Sequence, residues 1–186
     1  MTKIEIVISF FTIVYGLMLT DLFNSLHKLI RNRKIVKWHW LPLIASWYLF
    51  LQIINNWWGF LSFNESSGFN IVYFFILAHV VILFYLSVSV ILPDEIQKKG
   101  VDLKEYYFQN HSYFWGLITA ISIVSLLISI IPQFIHSSHL DTIHIVVRIA
   151  FILLSGLLVF SKKYWVHSSL LIVFVLINLL ELSQKI

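Results

Sequence analysis

Cysteine is absent from this 186-residue chain, and its absence excludes disulfides, thiolate metal sites and cysteine nucleophiles together. Charged residues are also scarce, since they make up only 12% of the chain, about half the usual share for a soluble domain. Hydrophobic residues account for 59%, and the mean hydropathy is +0.87. A soluble protein could not bury so much apolar surface, whereas the hydrocarbon core of a bilayer accepts it. We therefore predict an integral membrane protein that forms one transmembrane domain over residues 1–186.

Familiar catalytic and nucleotide-binding motifs are missing as well. The sequence contains no zinc-protease HExxH, no lipase-type GxSxG, no phosphate-binding loop and no dinucleotide glycine pattern. The formal net charge of +4 does not indicate nucleic-acid binding. The basic residues lie in short links between apolar stretches, where they serve as topology signals and anchors for lipid headgroups. We expect a protein that is not an enzyme, needs no cofactor and binds no nucleic acid.

Six apolar stretches are long enough to cross a bilayer, because a spanning helix needs about 20 mostly apolar residues. They cover residues 4–26, 40–63, 69–92, 112–135, 142–160 and 164–182. Pro42 falls in the first turn of the second stretch, where a missing N–H costs little, and Pro93 follows the third stretch as a stop. The pattern predicts an all-α membrane bundle of about six transmembrane helices. Because residues 161–163 form a very short link, one re-entrant hairpin is an alternative to the last two spans.

The distribution of lysine and arginine predicts the orientation in the membrane. Ten of the thirteen basic residues lie in the first, third and fifth links, whereas the second and fourth links contain none. The positive-inside rule then places the three basic links in the cytoplasm and both termini outside a cell membrane. The third link, residues 93–110, is the longest, and we predict that it forms a short surface helix broken at Gly100.

Polar side chains recur at helical spacing in three of the stretches, so that each set lies on one helix face. The three sets are Ser9, Thr12, Gly16, Thr20 and Asn24; Gln52, Asn55, Asn56 and Gly59; and Thr119, Ser122, Ser125, Ser129 and Gln133. Small and hydroxyl residues commonly allow membrane helices to approach and hydrogen-bond. Alternatively, the sets line a polar pathway, since unpaired polar groups are costly in lipid.

Arg148 is the one lysine or arginine well within a predicted span, and it therefore needs a polar partner or a water-filled vestibule. The tight link at 161–163 makes the fifth and sixth helices antiparallel. Residues equally distant from that link lie at equal depth, so Arg148 is level with Asn178, and His144 is level with Glu181. The alternative is that Arg148 extends along the helix to the headgroups.

Two further ionisable residues are candidates for a pathway. Asp21 lies near the basic end of the first span, where it either pairs with Lys28 or Arg31 or serves as a cation or proton site. His79 lies near the middle of the third span, where it is either a neutral, hydrogen-bonded histidine or part of a proton relay.

A cluster of possible metal ligands occupies the fourth link and the start of the fifth helix. It comprises His136, His139, Asp141 and His144. Histidine and carboxylate ligands at this spacing suit zinc or a similar divalent ion. The same residue types are also common in any short polar turn, which is the alternative interpretation.

The first sixty residues resemble a family of small, uncharacterised bacterial multi-pass membrane proteins. The resemblance lies in the sequence GLMLT at residues 16–20, the basic link and the tryptophan pair at residues 57 and 58, and it covers about a third of the chain. It implies no particular activity. The small six-helix prokaryotic potassium channels related to the lysosomal TMEM family are similar in length and helix count. Their hallmark first-helix motif is missing here and the charge pattern predicts the opposite orientation, so we do not transfer their function.

Two functional hypotheses follow from these patterns. The first is an oligomeric channel or permease for an ion or small solute, because the polar sets cluster with Asp21 and Arg148. A homo-oligomer is expected because a single six-helix bundle leaves little room for a wide pathway. The alternative is a membrane anchor, sensor or effector subunit that transports nothing and recruits a cytosolic partner through the charged first and third links.

Overall fold

The computed structural model describes residues 2–60, 70–96, 98–135 and 142–183, apart from the side chains of Lys3, residues 131–135 and His144. The predicted all-α class is confirmed, since 86% of the structure is helical. The helices are α1 (Lys3–Arg31), α2 (Trp40–Phe60), α3 (Ile71–Ile91), α4 (Leu103–Ile135), α5 (Thr142–Phe160) and α6 (Tyr164–Ser183). Two short strands, β1 (Val36–Lys37) and β2 (Val101–Asp102), lie between helices.

Among the described residues, four helical segments are long and apolar enough to cross a membrane. They are Ile4–Arg31, Ile71–Ile91, Leu103–Ile130 and Tyr164–Ser183, and Ile145–Phe160 is a shorter apolar helix. Large apolar side chains on several helices are exposed, among them Ile13, Leu153 and Phe160. Such surfaces fit contact with lipid in a multi-pass membrane protein.

Local sequence explains where several helices begin. At α1, the backbone N–H of Glu5 donates to the Thr2 hydroxyl at 3.2 Å, and the Glu5 carboxylate accepts from the Thr2 N–H at 3.0 Å. This reciprocal pair is a capping box, which satisfies two N–H groups that the helix itself leaves unpaired. At α3, the side-chain oxygen of Asn70 accepts from the Tyr73 N–H at 2.9 Å. Capping of this type typically contributes about 1 kcal/mol.

The helices do not pack in chain order. Helix α4 packs extensively against α5 and α3, whereas α6 packs mainly against α2, and α1 packs against α3 and α2. The consecutive helices α5 and α6 make few contacts with each other. The most deeply buried large side chains include Tyr48, Phe84, Trp115 and Phe174.

The predicted surface helix in the third link is wrong. Residues 101–102 instead form β2, which pairs in parallel with β1 so that Val36 lies opposite Val101. Gly100 adopts a left-handed φ of 86°, and a Cβ at this position would collide with the Ile35 carbonyl oxygen. Helix α4 then begins at Leu103, nine residues before residue 112, where the sequence predicted the fourth span to begin. The cause is Asp102, whose Oδ1 accepts from the N–H groups of residues 104 and 105 at 3.0 and 3.2 Å.

The three basic links lie together at one end of the bundle, which we call the basic end (residues 32–39, 92–102 and 161–163). Strand pairing joins the first link to the third, and the Lys37 ammonium lies 3.9 Å from the Asp102 carboxylate. The Trp40 indole N–H donates to the Tyr164 hydroxyl at 2.8 Å, which brings the fifth link to the same place. The Lys104 ammonium lies 5.3 Å from the centre of the Tyr164 ring.

Candidate functional site

A cavity of about 570 Å³ lies in the half of the bundle away from the basic end. All six helices contribute to its wall. Six of the polar residues singled out in the sequence line this one space: Gln52, Asn55, Asn56, Arg148, Asn178 and Glu181. Three serines of α4, at positions 122, 125 and 129, complete its polar lining. The second and third polar sets of the sequence therefore face a common space.

Aromatic rings form a packed layer between this cavity and the basic end. The Phe174 ring lies 4.5 Å from that of Phe151, both of which line the cavity. Behind them, the Tyr48 and Trp115 rings lie 6.1 and 5.8 Å from Phe174, and both are almost completely buried. Ring separations in this range are typical of close aromatic packing. The layer makes the cavity a chamber whose basic-end side is filled.

Arg148 is held by α4. Its Nη1 donates to the Ser125 carbonyl oxygen and to the Ser129 hydroxyl, both at 3.1 Å. The Nε and Nη2 groups have no acceptor among the described residues. Asn178, which the sequence predicts to be level with Arg148, lines the same cavity, and so does Glu181, but the hydrogen bonds of the guanidinium go to α4. Arg148 therefore contributes a positive charge to the wall of the cavity, and its side chain is also exposed at the surface of the bundle.

Asn178 carries a buried polar atom without a partner. The side chain is only 5% exposed, and its Nδ2 donates to the Phe174 carbonyl oxygen at 2.9 Å. The Oδ1 atom has no hydrogen bond among the described residues. Exchanging the two amide atoms would place one oxygen against another, so the assignment follows from the geometry. An unsatisfied buried acceptor costs about 1–3 kcal/mol.

The polar residues of α2 are tied to neighbouring groups. The Asn55 amide donates to the Glu181 carboxylate at 3.3 Å and so connects α2 with α6. The Gln52 amide donates to the Tyr48 hydroxyl at 3.0 Å, at the edge of the aromatic layer. The Asn56 amide donates to the Gln52 carbonyl oxygen at 2.9 Å. These contacts fix the orientation of the wall on the α2 side.

The polar set of α1 lies elsewhere. All five of its members are exposed, Thr12 accepts from the Trp57 indole of α2 at 3.1 Å, and α1 contributes Tyr15 to the cavity instead. Asp21, on the same helix, is exposed and lies beside the Tyr85 hydroxyl of α3. Among the described residues, no ion pair joins Asp21 to Lys28 or Arg31. The Lys28 ammonium instead donates to the Asp94 carbonyl oxygen at 3.0 Å.

His79 also lies outside the cavity. Its side chain is exposed on α3, and its Nδ1 is 2.7 Å from the Phe75 carbonyl oxygen. This contact requires the Nδ1–H form of the ring, since a carbonyl oxygen only accepts. The structure does not bring His79 together with the other polar candidates.

The remaining candidates fall outside the described residues. These are the side chains of Gln133 and His144, together with His136, His139 and Asp141. The metal hypothesis is therefore untested. Within the described ranges, no group of three or more histidine, aspartate and glutamate side chains is placed to hold a metal ion.

A buried polar chain near the basic end was missed by sequence reasoning. The Trp115 indole N–H donates to the Tyr107 hydroxyl at 2.9 Å, and this hydroxyl lies 2.9 Å from Nδ1 of His167. The Nε2 atom of His167 lies 2.7 Å from the Ser161 carbonyl oxygen. Tyr107, His111 and Trp115 recur every four residues, and this spacing was the available signal for one shared face of α4.

No protein-family model, no curated protein and no solved structure matches the chain.

Proposed function

We propose that the chain is a six-span permease that binds a small solute in the cavity and moves it across a cell membrane. The observation that carries the proposal is the cavity itself, which all six helices line and which collects Arg148, Asn178 and Glu181. Polar and charged groups are costly within a membrane, and groups gathered around one internal space commonly mark a substrate or ion pathway. The Arg148 guanidinium in this lining supports the role.

A six-span architecture requires that α2 and α5 also cross the membrane, although neither is one of the four long apolar segments. Their lengths support this. Helix α2 has 21 residues and α5 has 19, so they are about 31 and 28 Å long. Both lengths are close to the hydrocarbon thickness of about 30 Å. Both helices line the same cavity as the four apolar segments, which favours a common depth in the bilayer.

A permease fits the cavity better than an open channel does. Cavities of about 300–1,000 Å³ commonly hold small molecules, and 570 Å³ lies in that range. The packed aromatic layer fills the basic-end side, as expected for a carrier that exposes its site to one side of the membrane at a time. We retain the proposed homo-oligomer, the cytoplasmic location of the basic end and the external location of both termini as parts of this proposal.

A second candidate function is recruitment of a cytosolic partner by the basic end. Strand pairing gathers the basic links on one surface, where Lys37 and Lys104 are exposed. Loss of partner capture on charge reversal at this surface, with solute uptake intact, would favour recruitment over transport.

The decisive experiment compares two glycine variants in proteoliposomes. Gly59 lines the cavity, and a Cβ added there meets no atom of the described residues within 4 Å. Gly59→Leu should therefore fold and fill the chamber. Gly16 is equally unobstructed but lies on the exposed face of α1, so Gly16→Leu is the matched control.

Uptake of radiolabelled amino acids, carboxylates and amphiphiles is measured for the wild-type protein and both variants. We expect the wild-type protein to accumulate at least one of these solutes. Gly59→Leu should lose at least 90% of that uptake (about a tenfold loss, or about 1.4 kcal/mol), and Gly16→Leu should retain it. A wild-type protein inactive toward the entire panel, or full uptake by well-folded Gly59→Leu, would refute the permease proposal.

A further inference from the structure

The cavity opens sideways, between α5 and α6. Val147, Leu154 and Ile177 line the cavity and are also 49%, 37% and 38% exposed. A side chain that lines the cavity and is also exposed lies where the cavity opens to the surface of the bundle, which we call the mouth. The three residues belong to the two consecutive helices that make few contacts with each other, and none lies in a terminal turn. In a bilayer, this mouth faces hydrocarbon and not water.

The wall of the cavity is divided by polarity. Helix α3 contributes only apolar side chains, namely Leu77, Val80 and Phe84, and α5 adds Phe151. The charged and amide groups come from α2, α6 and the Arg148 position of α5. A fully polar solute would lose hydration against the apolar wall, and a hydrocarbon would leave the Arg148 charge without a counter-charge in the cavity. The division fits a molecule that is itself amphipathic.

The charge of the ligand follows from the group that is available to bind it. The Arg148 guanidinium is permanently charged, and its Nε and Nη2 have no acceptor among the described residues. Its planar array of N–H groups suits a carboxylate or phosphate. The Glu181 carboxylate also lines the cavity, close to the C-terminal end of α6, where it accepts from Asn55. Among the described residues it forms no ion pair with Arg148, so the guanidinium keeps its charge available for an anion. The cavity thus offers an anion-binding group near the middle of the mouth.

Resting on the proposed function, we propose that the solute is an amphipathic anion with a single hydrocarbon chain, and that it enters sideways from the bilayer. Its carboxylate or phosphate binds Arg148, and its chain lies along the α3 side of the cavity. A free fatty acid and a lysophospholipid share this chemistry. The mouth between two apolar helices gives both of them access without passage through water.

Binding is tested by native mass spectrometry on the full chain in a non-ionic detergent. The probes are palmitate, palmitoyl-lysophosphatidylglycerol and monopalmitoylglycerol, which carry the same chain and differ in headgroup charge. We expect one anion per protein, bound about tenfold more tightly than the uncharged monopalmitoylglycerol, as one charge-assisted hydrogen-bonded contact implies. Binding of palmitate alone would identify a fatty acid, and binding of the lysophospholipid alone would identify a lipid headgroup. Equal affinity for all three probes, or binding of neither anion, would overturn the proposal.

Variants identify the site. Arg148→Gln should reduce anion affinity about tenfold to the level of the uncharged probe, and Arg148→Lys should keep part of the preference because it retains the charge. Arg33→Gln, at an exposed arginine of the basic end, is the matched control and should bind as the wild type does. If Arg148→Gln does not fold, Gly59→Leu tests the same cavity, since it leaves Arg148 in place and should abolish binding. Unchanged anion affinity in folded Arg148→Gln or Gly59→Leu would place the ligand elsewhere.

This measurement separates the ligand from transport. Anion binding without uptake in proteoliposomes would leave the inference standing and remove the permease function. Uptake of a hydrophilic solute by a protein that binds neither anion would support the permease function and refute the anionic ligand.

Discussion

The Tyr107 hydroxyl and the Nδ1 atom of His167 lie 2.9 Å apart, in a buried region between α4 and α6. Because Trp115 donates to the same hydroxyl, the tyrosine proton is available for His167. His167 then accepts through Nδ1 and donates through Nε2 to the Ser161 carbonyl oxygen at 2.7 Å. Each polar group in this series of hydrogen bonds has a partner when the histidine is neutral. The chain connects α4 to the short link before α6.

Removing the Tyr107 hydroxyl should destabilise the protein. Tyr107→Phe leaves the Trp115 N–H and the His167 nitrogen without partners in a buried site, at a cost of about 1–3 kcal/mol for each unsatisfied group. Thermal unfolding in detergent should show a lower midpoint. Tyr113→Phe is the control on the same helix, because Tyr113 is 51% exposed, and it should melt with the wild-type protein. Equal midpoints for the two variants would show that the buried chain contributes no net stability.

The arrangement of the basic links predicts how single cysteines will label in the cysteine-free chain. Asn32 and Lys99 lie in links joined by the β1–β2 pair, so cysteines at both positions should react from the cytoplasmic side. Cysteines replacing Ser66 and Ser137, in the links without basic residues, should react from outside. Impermeant maleimide on intact cells and on inverted vesicles makes the comparison. Opposite sidedness at Asn32 and Lys99 would contradict the structure, whereas inversion of all four would overturn only the orientation.

Asp21→Asn should leave solute uptake unchanged. The carboxylate is exposed beside Tyr85 and does not line the cavity. Asn178→Leu, in contrast, removes the buried acceptor and should lose at least 90% of uptake while melting no lower than the wild type, because one unsatisfied group disappears. Flux and thermal stability are measured on the same preparations. Loss of flux in well-folded Asp21→Asn would show that Asp21 contributes to the transport pathway.

His39 should make stability depend on pH at the basic end. Partial burial and then the nearby Lys104 charge lower the pKa of His39 below its ordinary value of 6.5, against an opposing effect of Asp102. The unfolded chain therefore binds the proton more readily, so the free energy of unfolding rises with pH from the folded pKa up to about 6.5 and is flat above it. NMR titration should show a higher His39 pKa in Lys104→Gln. Lys34→Gln, at an exposed lysine of the same end, should leave it unchanged, and an equal pKa in all three proteins would exclude the Lys104 effect.

The helices were largely predictable from the sequence, because hydropathy and helical spacing are local properties. The main error was the start of α4, where Asp102 caps the helix directly after β2. A capping aspartate was visible in the sequence, but the pairing of β1 with β2, which fixes Gly100 in a left-handed conformation, joins residues more than sixty positions apart. Such pairing leaves no periodic signal.

The candidate site was predictable only in part, for a related reason. Equal distance from the link at 161–163 predicts that Arg148 and Asn178 lie at one level, and both line the cavity. It could not show which helix stands beside Arg148, and its hydrogen bonds go to Ser125 and Ser129 of α4. Spacing likewise identifies a polar face without identifying what lies opposite it. The α1 face is exposed, whereas the α2 and α4 faces meet around the cavity.

The sequence by itself determined the apolar, all-α character of the chain, the approximate positions of its helices and the charge of its links. Each of these depends on residues within one segment and on their free energy of transfer into lipid. Only the tertiary structure decided that α5 packs on α4 and α6 on α2, leaving a mouth between consecutive helices. That choice depends on the fit of whole helix surfaces, here the aromatic layer around Trp115 and Phe174, and no single segment contains both sides of such a fit.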